Sequence, residues 1–325
     1  MAAVKTLEIL APGPLTTVQD CGRFGFGRFG VPRSGAADAF SLRIGNLLVG
    51  NPENEAALEI TVVGPKIITL ADAAISVTGA DLQPMIDGQP IQMWQSHLLR
   101  KGGVLSFKGR RNGCRSYLAV GGGISVPVVM GSRSTNLAAR FAGLHGRPLK
   151  KGDILCSESP ADHLKTEAIT FDSAFVPSYP SDQQLRVIPG PQDHHFPDAA
   201  KELFLDSRFR VTPQSDRAGI RLAGPRIEVR QGLEASILSE GVVPGAIQIP
   251  GDAQPIILLS ETVTGGYRKI ATVISADLHL AGQLTPGNTI QFVEVSMNRA
   301  DTLVLEMEGL IRRFRNETAP HHLPR

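Results

Sequence analysis

A pattern of strands and stops that occurs twice is the strongest constraint on the fold of this chain. Each half opens with a short apolar run that a Pro-Gly-Pro stop ends, and two further Gly-Pro and Gln-Pro landmarks follow in the same order. The landmarks and their repeats are Leu7–Pro14 with Leu185–Pro191, Gly64–Ile67 with Gly224–Ile227, and Gln89–Ile91 with Gln254–Ile256. Such a repeat predicts two related halves within the 325 residues.

Short apolar runs between glycine- and proline-containing turns make both halves β-rich. The 34 Gly and 23 Pro supply many turns, and no regular alternation of strands with helices is present. The predicted strands are Leu7–Leu10, Leu58–Val62, Ile75–Thr78, Ile91–Trp94, Val104–Phe107, Tyr117–Val120, Leu185–Ile188, Ile247–Ile249 and Pro255–Leu259. This pattern favours barrel-like or sandwich halves over a Rossmann sheet.

Helices are predicted at two places. Asp38 can cap a helix whose apolar positions Phe40, Ile44, Leu47 and Leu48 follow helical spacing. A second helix near the C-terminus carries Leu303, Met307, Leu310, Ile311 and Phe314 on one face. The predicted domains are residues 1–175 with a glycine-rich loop, residues 183–298, and a helix and tail at 299–325. Residues 158–182 are polar, dotted with proline, and predicted to be a linker.

Charge and cysteine content exclude several classes of protein. A net charge of +2 gives no reason to expect a nucleic-acid or membrane partner, and no window has the roughly 18 apolar residues of a membrane span. The N-terminus has no signal-peptide core, and three distant cysteines without Cys-x-x-Cys spacing suit a reducing cytoplasm. Neither the adjacent pair His194-His195 nor any other motif indicates a metal site.

Polar residues at turns of both halves are the candidate site. Arginines can hold a carboxylate or phosphate, amide side chains can bind an amide or ureido group, and glycine amides can stabilise an oxyanion. The candidate catalytic residues are Glu240, Gln248, Glu261 and Tyr267. The candidate substrate-binding residues are Gln19, Asp20, Arg23, Ser34, Asp38, Arg133, Ser134, Asn136, Arg217, Arg221, Thr264, Gly265 and Gly266. The alternative for each is a turn, a helix cap or a surface ion pair. The functional hypothesis is that they converge on one cleft.

Eight motifs in order carry a resemblance to a known family. They are Thr-Val-Gln-Asp-x-Gly-Arg (17–23), Gly-Val-Pro-x-Ser-Gly-Ala-x-Asp (30–38), Leu-Val-Gly-Asn-Pro (48–52), Tyr-Leu-Ala-Val-x-Gly-Gly (117–123), Gly-Ser-Arg-Ser-Thr (131–135), Ser-x-Arg-x-Gly-Ile-Arg-Leu-x-Gly (215–224), Ser-Glu-Gly-Val-Val-Pro-Gly-Ala-Ile-Gln (239–248) and Thr-Gly-Gly-Tyr (264–267). Across about residues 7–295 the chain resembles the biotin-dependent carboxyltransferase family, also called allophanate hydrolase subunit 2. One departure is Arg268, where the family commonly has proline.

The resemblance implies a fold, partners and a reaction. It implies two tandem cyclophilin-like β-barrel halves. The implied activity is an ATP-dependent 5-oxoprolinase that converts 5-oxo-L-proline to L-glutamate, and the implied partners are its kinase-inhibitor-like B subunit together with its A subunit. ATP would be handled together with these partner subunits, because no phosphate loop is present.

Two alternatives stay open at this point. One is a carboxyltransferase component acting on urea or a related amide, with carboxybiotin carried by another chain, since no Met-Lys-Met stretch occurs here. The other is a non-enzymatic regulator that binds an inhibitor of a histidine kinase.

Overall fold

The computed structural model describes residues 3–158, 160, 167–234 and 236–318 and divides the chain into two units. The first unit comprises Met1–Arg23, Ser34–Ser178 and Met307–Arg325, and the second comprises Phe24–Arg33 and Tyr179–Glu306. The domain limits inferred from the sequence stay predictions.

The first unit is built from two antiparallel sheets. Its strands are β1 (Val4–Ala11), β2 (Thr16–Gln19), β3 (Ala57–Thr61), β4 (Lys66–Thr69), β5 (Ala73–Gly79), β6 (Pro84–Ile86), β7 (Gln89–Pro90), β8 (Ser96–Leu99), β9 (Val104–Phe107), β10 (Arg115–Val120) and β11 (Ile154–Ser157). One sheet has the order β11-β1-β4-β9-β6-β7 and the other has the order β2-β3-β10-β5-β8. Alternate residues of both sheets, such as Leu7 and Ile9 from one and Leu58 and Ile60 from the other, form one buried core.

Helix α1 (Ala39–Leu48) covers the outer face of the second of these sheets. Asp38 caps it, because its carboxylate accepts a 2.8 Å hydrogen bond from the backbone N–H of Ser41. Leu42 packs on Tyr117 and Ala119 of β10, while the predicted face from Phe40 to Leu48 is buried in a separate aromatic cluster. The prediction of a helix at this position, capped by Asp38, is confirmed.

Two expectations for the first unit are corrected. Residues 91–94 are not a strand; the strand follows at β8, and Trp94 has a positive φ of 59° and is buried against Phe171 with ring centroids 5.8 Å apart. The predicted linker of residues 158–182 contains this Phe171, which is 3% exposed, so part of that segment is packed into the core. Residues 159 and 161–166 of the segment lie outside the described residues.

The second unit is a closed barrel. Its strands and helices are β12 (Asp182–Pro189), α2 (Asp198–Asp206), β13 (Arg208–Val211), β14 (Gly219–Ala223), β15 (Glu240–Gly241), β16 (Ala246–Ile249), β17 (Ile256–Leu258), β18 (Thr264–Gly265), β19 (Arg268–Val273), α3 (Leu278–Ala281) and β20 (Thr289–Glu294). The barrel order is β12-β19-β16-β17-β14-β13-β20, and the parallel pair β12 and β20 closes it. Strands β15 and β18 form a separate two-stranded ribbon. Three phenylalanines, Phe204, Phe209 and Phe292, pack together in the core of this unit.

The last helix is α4 (Met297–Thr318). Leu303 is buried within the second unit, and Ile311 and Phe314 are buried within the first. The predicted apolar face of this helix is therefore confirmed, and so is the prediction of a mainly β chain with a C-terminal helix. None of the helices in the described part of the chain has the length and hydrophobicity needed to cross a membrane.

Candidate functional site

Asp20 is the hub of the candidate residues in the first unit. Its carboxylate accepts hydrogen bonds from the backbone N–H groups of Gly22 at 2.7 Å and Arg133 at 2.6 Å, and from the hydroxyls of Ser132 and Ser134. Four donors fill the acceptor capacity of a carboxylate. Asp20 directly follows strand β2, so its hydrogen bonds attach the loop at 131–135 to the end of that strand. This is a positioning role.

Gln19 and Arg23 are buried on either side of this hub. Gln19 Nε2 donates to Thr17 Oγ1 at 3.0 Å and to the carbonyl of Thr135 at 3.2 Å. One Arg23 terminal nitrogen donates to the carbonyl of Ser134 at 2.6 Å, and the guanidinium lies 4.7 Å from the centre of the Phe141 ring. Both side chains are less than 3% exposed, so they order the interior of the unit.

The remaining first-unit candidates differ in exposure. Asn136 Nδ2 donates to Ser34 Oγ at 3.0 Å, and both residues are buried, as is the helix cap Asp38. The Arg133 side chain is 26% exposed and forms an ion pair with Glu55 at 2.7 Å. Of the eight candidates in this unit, Arg133 is the one whose side chain a solute can reach.

In the second unit the candidates Gln248 and Arg221 lie on the outer face of the barrel. Ile247 and Ile249 belong to the core, so Gln248 between them points outward. Gln248 pairs with Ile256 on one side and with Lys269 on the other, and Ile256 pairs in turn with Arg221. Because paired residues share a face, these four side chains form one row across strands β14, β17, β16 and β19.

The ribbon of β15 and β18 covers part of this row. Glu240 pairs with Gly265, and Gly265 lies so close to Gln248 that a Cβ atom there would be 2.2 Å from Gln248 Nε2. Glycine at this position therefore permits the close approach of the ribbon. Gln248 is 4% exposed, and Nε2 donates to the carbonyl of Tyr267 at a long 3.5 Å.

Lys269 joins these candidates, although the sequence analysis did not select it. Its side chain is 5% exposed, and Nζ donates to Glu240 Oε1, which also accepts a 2.6 Å hydrogen bond from Gln192 Nε2. Gln192 Oε1 accepts from the backbone N–H of Lys269 at 3.1 Å. The hydrogen bond from Lys269, followed by that from Gln192, holds the pKa of Glu240 below its ordinary value, so Glu240 is an anion near neutral pH.

Arg268, the departure noted in the sequence, is buried beside this cluster. Its Nε donates to His195 Nδ1 at 3.0 Å and another nitrogen donates to the carbonyl of Glu234. Burial, the neighbouring His194 and Arg268 lower the pKa of His195, which keeps the ring neutral. Arg268 thereby fixes the turn that carries Gln192.

Arg217 and Glu261 form a second group of candidates in this unit. Arg217 Nε donates to Glu261 Oε1 at 2.8 Å, and both side chains are 5% exposed. Arg217 lies in the bend that precedes β14, and Glu261 lies in the turn that follows β17. That these two residues share a site with Gln248 stays a prediction.

The other second-unit candidates lie on or after the ribbon. Thr264 is exposed, the carbonyl of Gly266 accepts a 2.8 Å hydrogen bond from Ile237, and Tyr267 is 40% exposed. The roles of the Gly265 and Gly266 amides as oxyanion donors stay predictions. So does the hypothesis that the candidates of both halves share one cleft.

A cavity of about 340 Å³ lies beside α2. Its apolar wall includes Val187, Phe204 and Ile270, and its polar rim includes Asp198, Lys201 and Glu294. Asp198 and Lys201 pair with each other at 2.9 Å.

Comparison with known proteins assigns the chain to a class. Residues 29–294 match the family model of the carboxyltransferase domain, subdomains A and B. The chain therefore belongs to the carboxyltransferase domain family.

Within this family the chain is similar to proteins of two kinds. It is 38% identical to the C subunit of the 5-oxoprolinase of Escherichia coli (strain K12) over 296 residues, which cover 90% of this chain and 93% of that protein. It is 34% identical to urea amidolyase of Saccharomyces cerevisiae over 91% of this chain but only 17% of that protein. The urea amidolyase structure from K. lactis superposes with a TM-score of 0.89 at 34% identity, over 97% of this chain and 20% of that one. The chain thus spans nearly all of the bacterial relative and about a fifth of the urea amidolyases.

Proposed function

We propose that this chain is a subunit of an ATP-dependent 5-oxoprolinase, which converts 5-oxo-L-proline to L-glutamate together with two partner subunits, one of them kinase-inhibitor-like. The observation that carries the proposal is the 38% identity to the C subunit of a 5-oxoprolinase over 93% of its length. Similarity from end to end supports the same role more strongly than similarity to a fifth of a larger protein. Because the reaction consumes ATP, the proposal places the protein in the cytoplasm.

The outer-face row of the barrel suits a flat amide. A lactam resists attack because its nitrogen lone pair is delocalised into the carbonyl, so hydrolysis requires donors at the oxygen and a fixed orientation. Gln248 offers both a donor and an acceptor, and its own hydrogen bond to Tyr267 is long enough to be exchanged for one to a ligand. Lys269 adds a buried positive charge on the neighbouring strand.

In this proposal ATP is a co-substrate handled together with the partner subunits. The test is to coexpress the chain with both partner subunits and to measure ATP hydrolysis that depends on 5-oxo-L-proline, with glutamate as the second product. We expect activity only when all three proteins are present. Full activity from the two partner subunits with this chain omitted would overturn the proposal.

A second candidate function is a carboxyltransferase component that acts on urea or a related amide with carboxybiotin. The TM-score of 0.89 with a urea amidolyase structure favours it. The donor and acceptor of Gln248 would also fit the ureido ring of biotin, which supplies the carboxyl group when bound, and Gln248 would orient that ring. Titrating biotin against the purified chain separates the two candidates, because the first predicts no saturable binding and the second requires it.

A further inference from the structure

The two partners of the ion pair between Lys269 and Glu240 differ strongly in solvent exposure. The Lys269 side chain is 5% exposed, whereas the Glu240 side chain is 44% exposed. Lys269 stands on a barrel strand, and Glu240 stands on β15, a ribbon strand of two residues that pairs with two residues of β18. The buried charge is therefore neutralised by a carboxylate that comes from the solvent-facing side.

This asymmetry determines which partner can be replaced. A buried lysine requires a counter-charge, because an unpaired charge in the interior is strongly unfavourable. The side chain of a half-exposed glutamate can instead rotate toward the solvent, where its charge is hydrated at little cost in free energy. Gln192, whose Nε2 donates to the same Glu240 oxygen at 2.6 Å, would stay behind as a second donor for whatever anion replaces it.

The neighbours of Lys269 indicate which chemical groups such an anionic ligand would have beside its negative charge. Gln248 is the cross-strand partner of Lys269, so their Cβ atoms are about 5 Å apart. Gly265 lies directly against the Gln248 side chain, and its lack of a side chain leaves room there. A ligand that reaches both residues would have a carboxylate at one end and an amide-type group close to it.

We propose that Lys269 is the binding residue for the carboxylate of a small lactam acid, and that Glu240 occupies this position until the ligand displaces it. The inference rests on the proposed function, because 5-oxo-L-proline carries its carboxylate and its lactam carbonyl on the two carbons that flank the ring nitrogen. Its carboxylate takes the place of the Glu240 carboxylate on Lys269 and Gln192, and its lactam faces Gln248. Glu240 then becomes solvated without any change of covalent bonds.

The test measures ligand binding by isothermal titration calorimetry, using the full chain alone and assembled with its two partner subunits. The probes are L-5-oxoproline, 2-pyrrolidinone, which lacks the carboxylate, and cyclopentanecarboxylate, which lacks the lactam. Lys269→Met should weaken binding of both carboxylates at least about tenfold, because a hydrogen bond to a charged group is lost. Glu240→Gln should strengthen it about fivefold, because the competing charge is removed. Neither change should alter binding of 2-pyrrolidinone.

A matched control and a second variant keep the result decisive. Glu228→Gln removes an exposed carboxylate that pairs with Arg226 elsewhere on the same unit, and it should leave all three affinities unchanged. If the Lys269→Met variant does not fold, the carboxylate affinity of the Glu240→Gln variant is sufficient to test the proposal. Unchanged or weaker carboxylate binding by Glu240→Gln, or unchanged binding by a folded Lys269→Met, would overturn the proposal.

The outcome also separates this proposal from the function on which it rests. If the assembled subunits lack 5-oxoproline-dependent ATP hydrolysis but cyclopentanecarboxylate still shows the expected dependence on Lys269 and Glu240, the carboxylate site stands and the 5-oxoprolinase role fails. If the enzyme is active and substitution of Lys269 or Glu240 does not change carboxylate binding, the proposed carboxylate site is wrong and the 5-oxoprolinase role stands.

Discussion

Replacing Asp20 by alanine tests whether the first-unit candidates are a structural hub. The carboxylate accepts four hydrogen bonds while the residue is 6% exposed, so Asp20→Ala leaves four donors without their acceptor. Hydrogen bonds to a charged group contribute about 1.5–3 kcal/mol each, although relaxation and entering water recover part of the loss. We therefore expect a destabilisation of about 4 kcal/mol, which is large for a single substitution and is consistent with loss of a buried hydrogen-bond network.

Thermal unfolding followed by circular dichroism provides the measurement. For a unit of this size about 1 kcal/mol shifts Tm by roughly 2–4 °C, so Asp20→Ala should lower Tm by about 10 °C. The control is Asp172→Ala, which removes an exposed carboxylate that accepts one 2.9 Å hydrogen bond from Ala174. The control should cost less than about 1 kcal/mol. Equal, small shifts for both variants would refute the argument that Asp20 holds the loop at 131–135.

Three further predictions follow from individual contacts. Gly64→Ala should destabilise the first unit by about 1–3 kcal/mol in urea unfolding, because the new Cβ would lie 2.2 Å from the Phe107 ring; an unchanged midpoint would contradict this. Arg43 lowers the pKa of Glu308 below 4.5 by hydrogen bonding, so the pair stabilises fully above that pH and the contribution is lost as pH falls through the lowered value. Glu308→Gln should flatten this part of a Tm profile from pH 7 to 3, and an unaltered slope would count against it. Gln248→Leu, which keeps the volume but removes the amide, should raise the KM for 5-oxo-L-proline about tenfold in the reconstituted enzyme, whereas an unchanged KM would remove Gln248 from the site.

Local signals explain why much of the fold is visible in the sequence. Asp38 and the apolar spacing after it determine α1, because a cap and a helical face act within one segment. Val104–Phe107 is a strand with the predicted bounds, since its turns are marked by glycine on both sides. Residues 91–94 looked equally strand-like, but tertiary packing of Trp94 against Phe171 overrides their propensity.

The site was harder to predict because it depends on pairing between distant segments. Gln248 and Glu240 stand in a recognisable motif, whereas Lys269 becomes a candidate only through its register with Gln248 and its contact with Glu240. The available signal was a lysine, next to Arg268, in the buried strand β19. Arg217 and Glu261 likewise meet only through tertiary structure, since one lies in the bend before β14 and the other in the turn after β17.

The most direct test of the central claim is a crystal structure of the chain, assembled with its two partner subunits, in the presence of L-5-oxoproline. We expect the ligand on the outer face of the barrel, with its carboxylate on Lys269, its lactam at Gln248, and Glu240 turned into solvent. A ligand bound beside Arg217 and Glu261, or entirely on another subunit, would contradict the assignment of this row of side chains as the binding site.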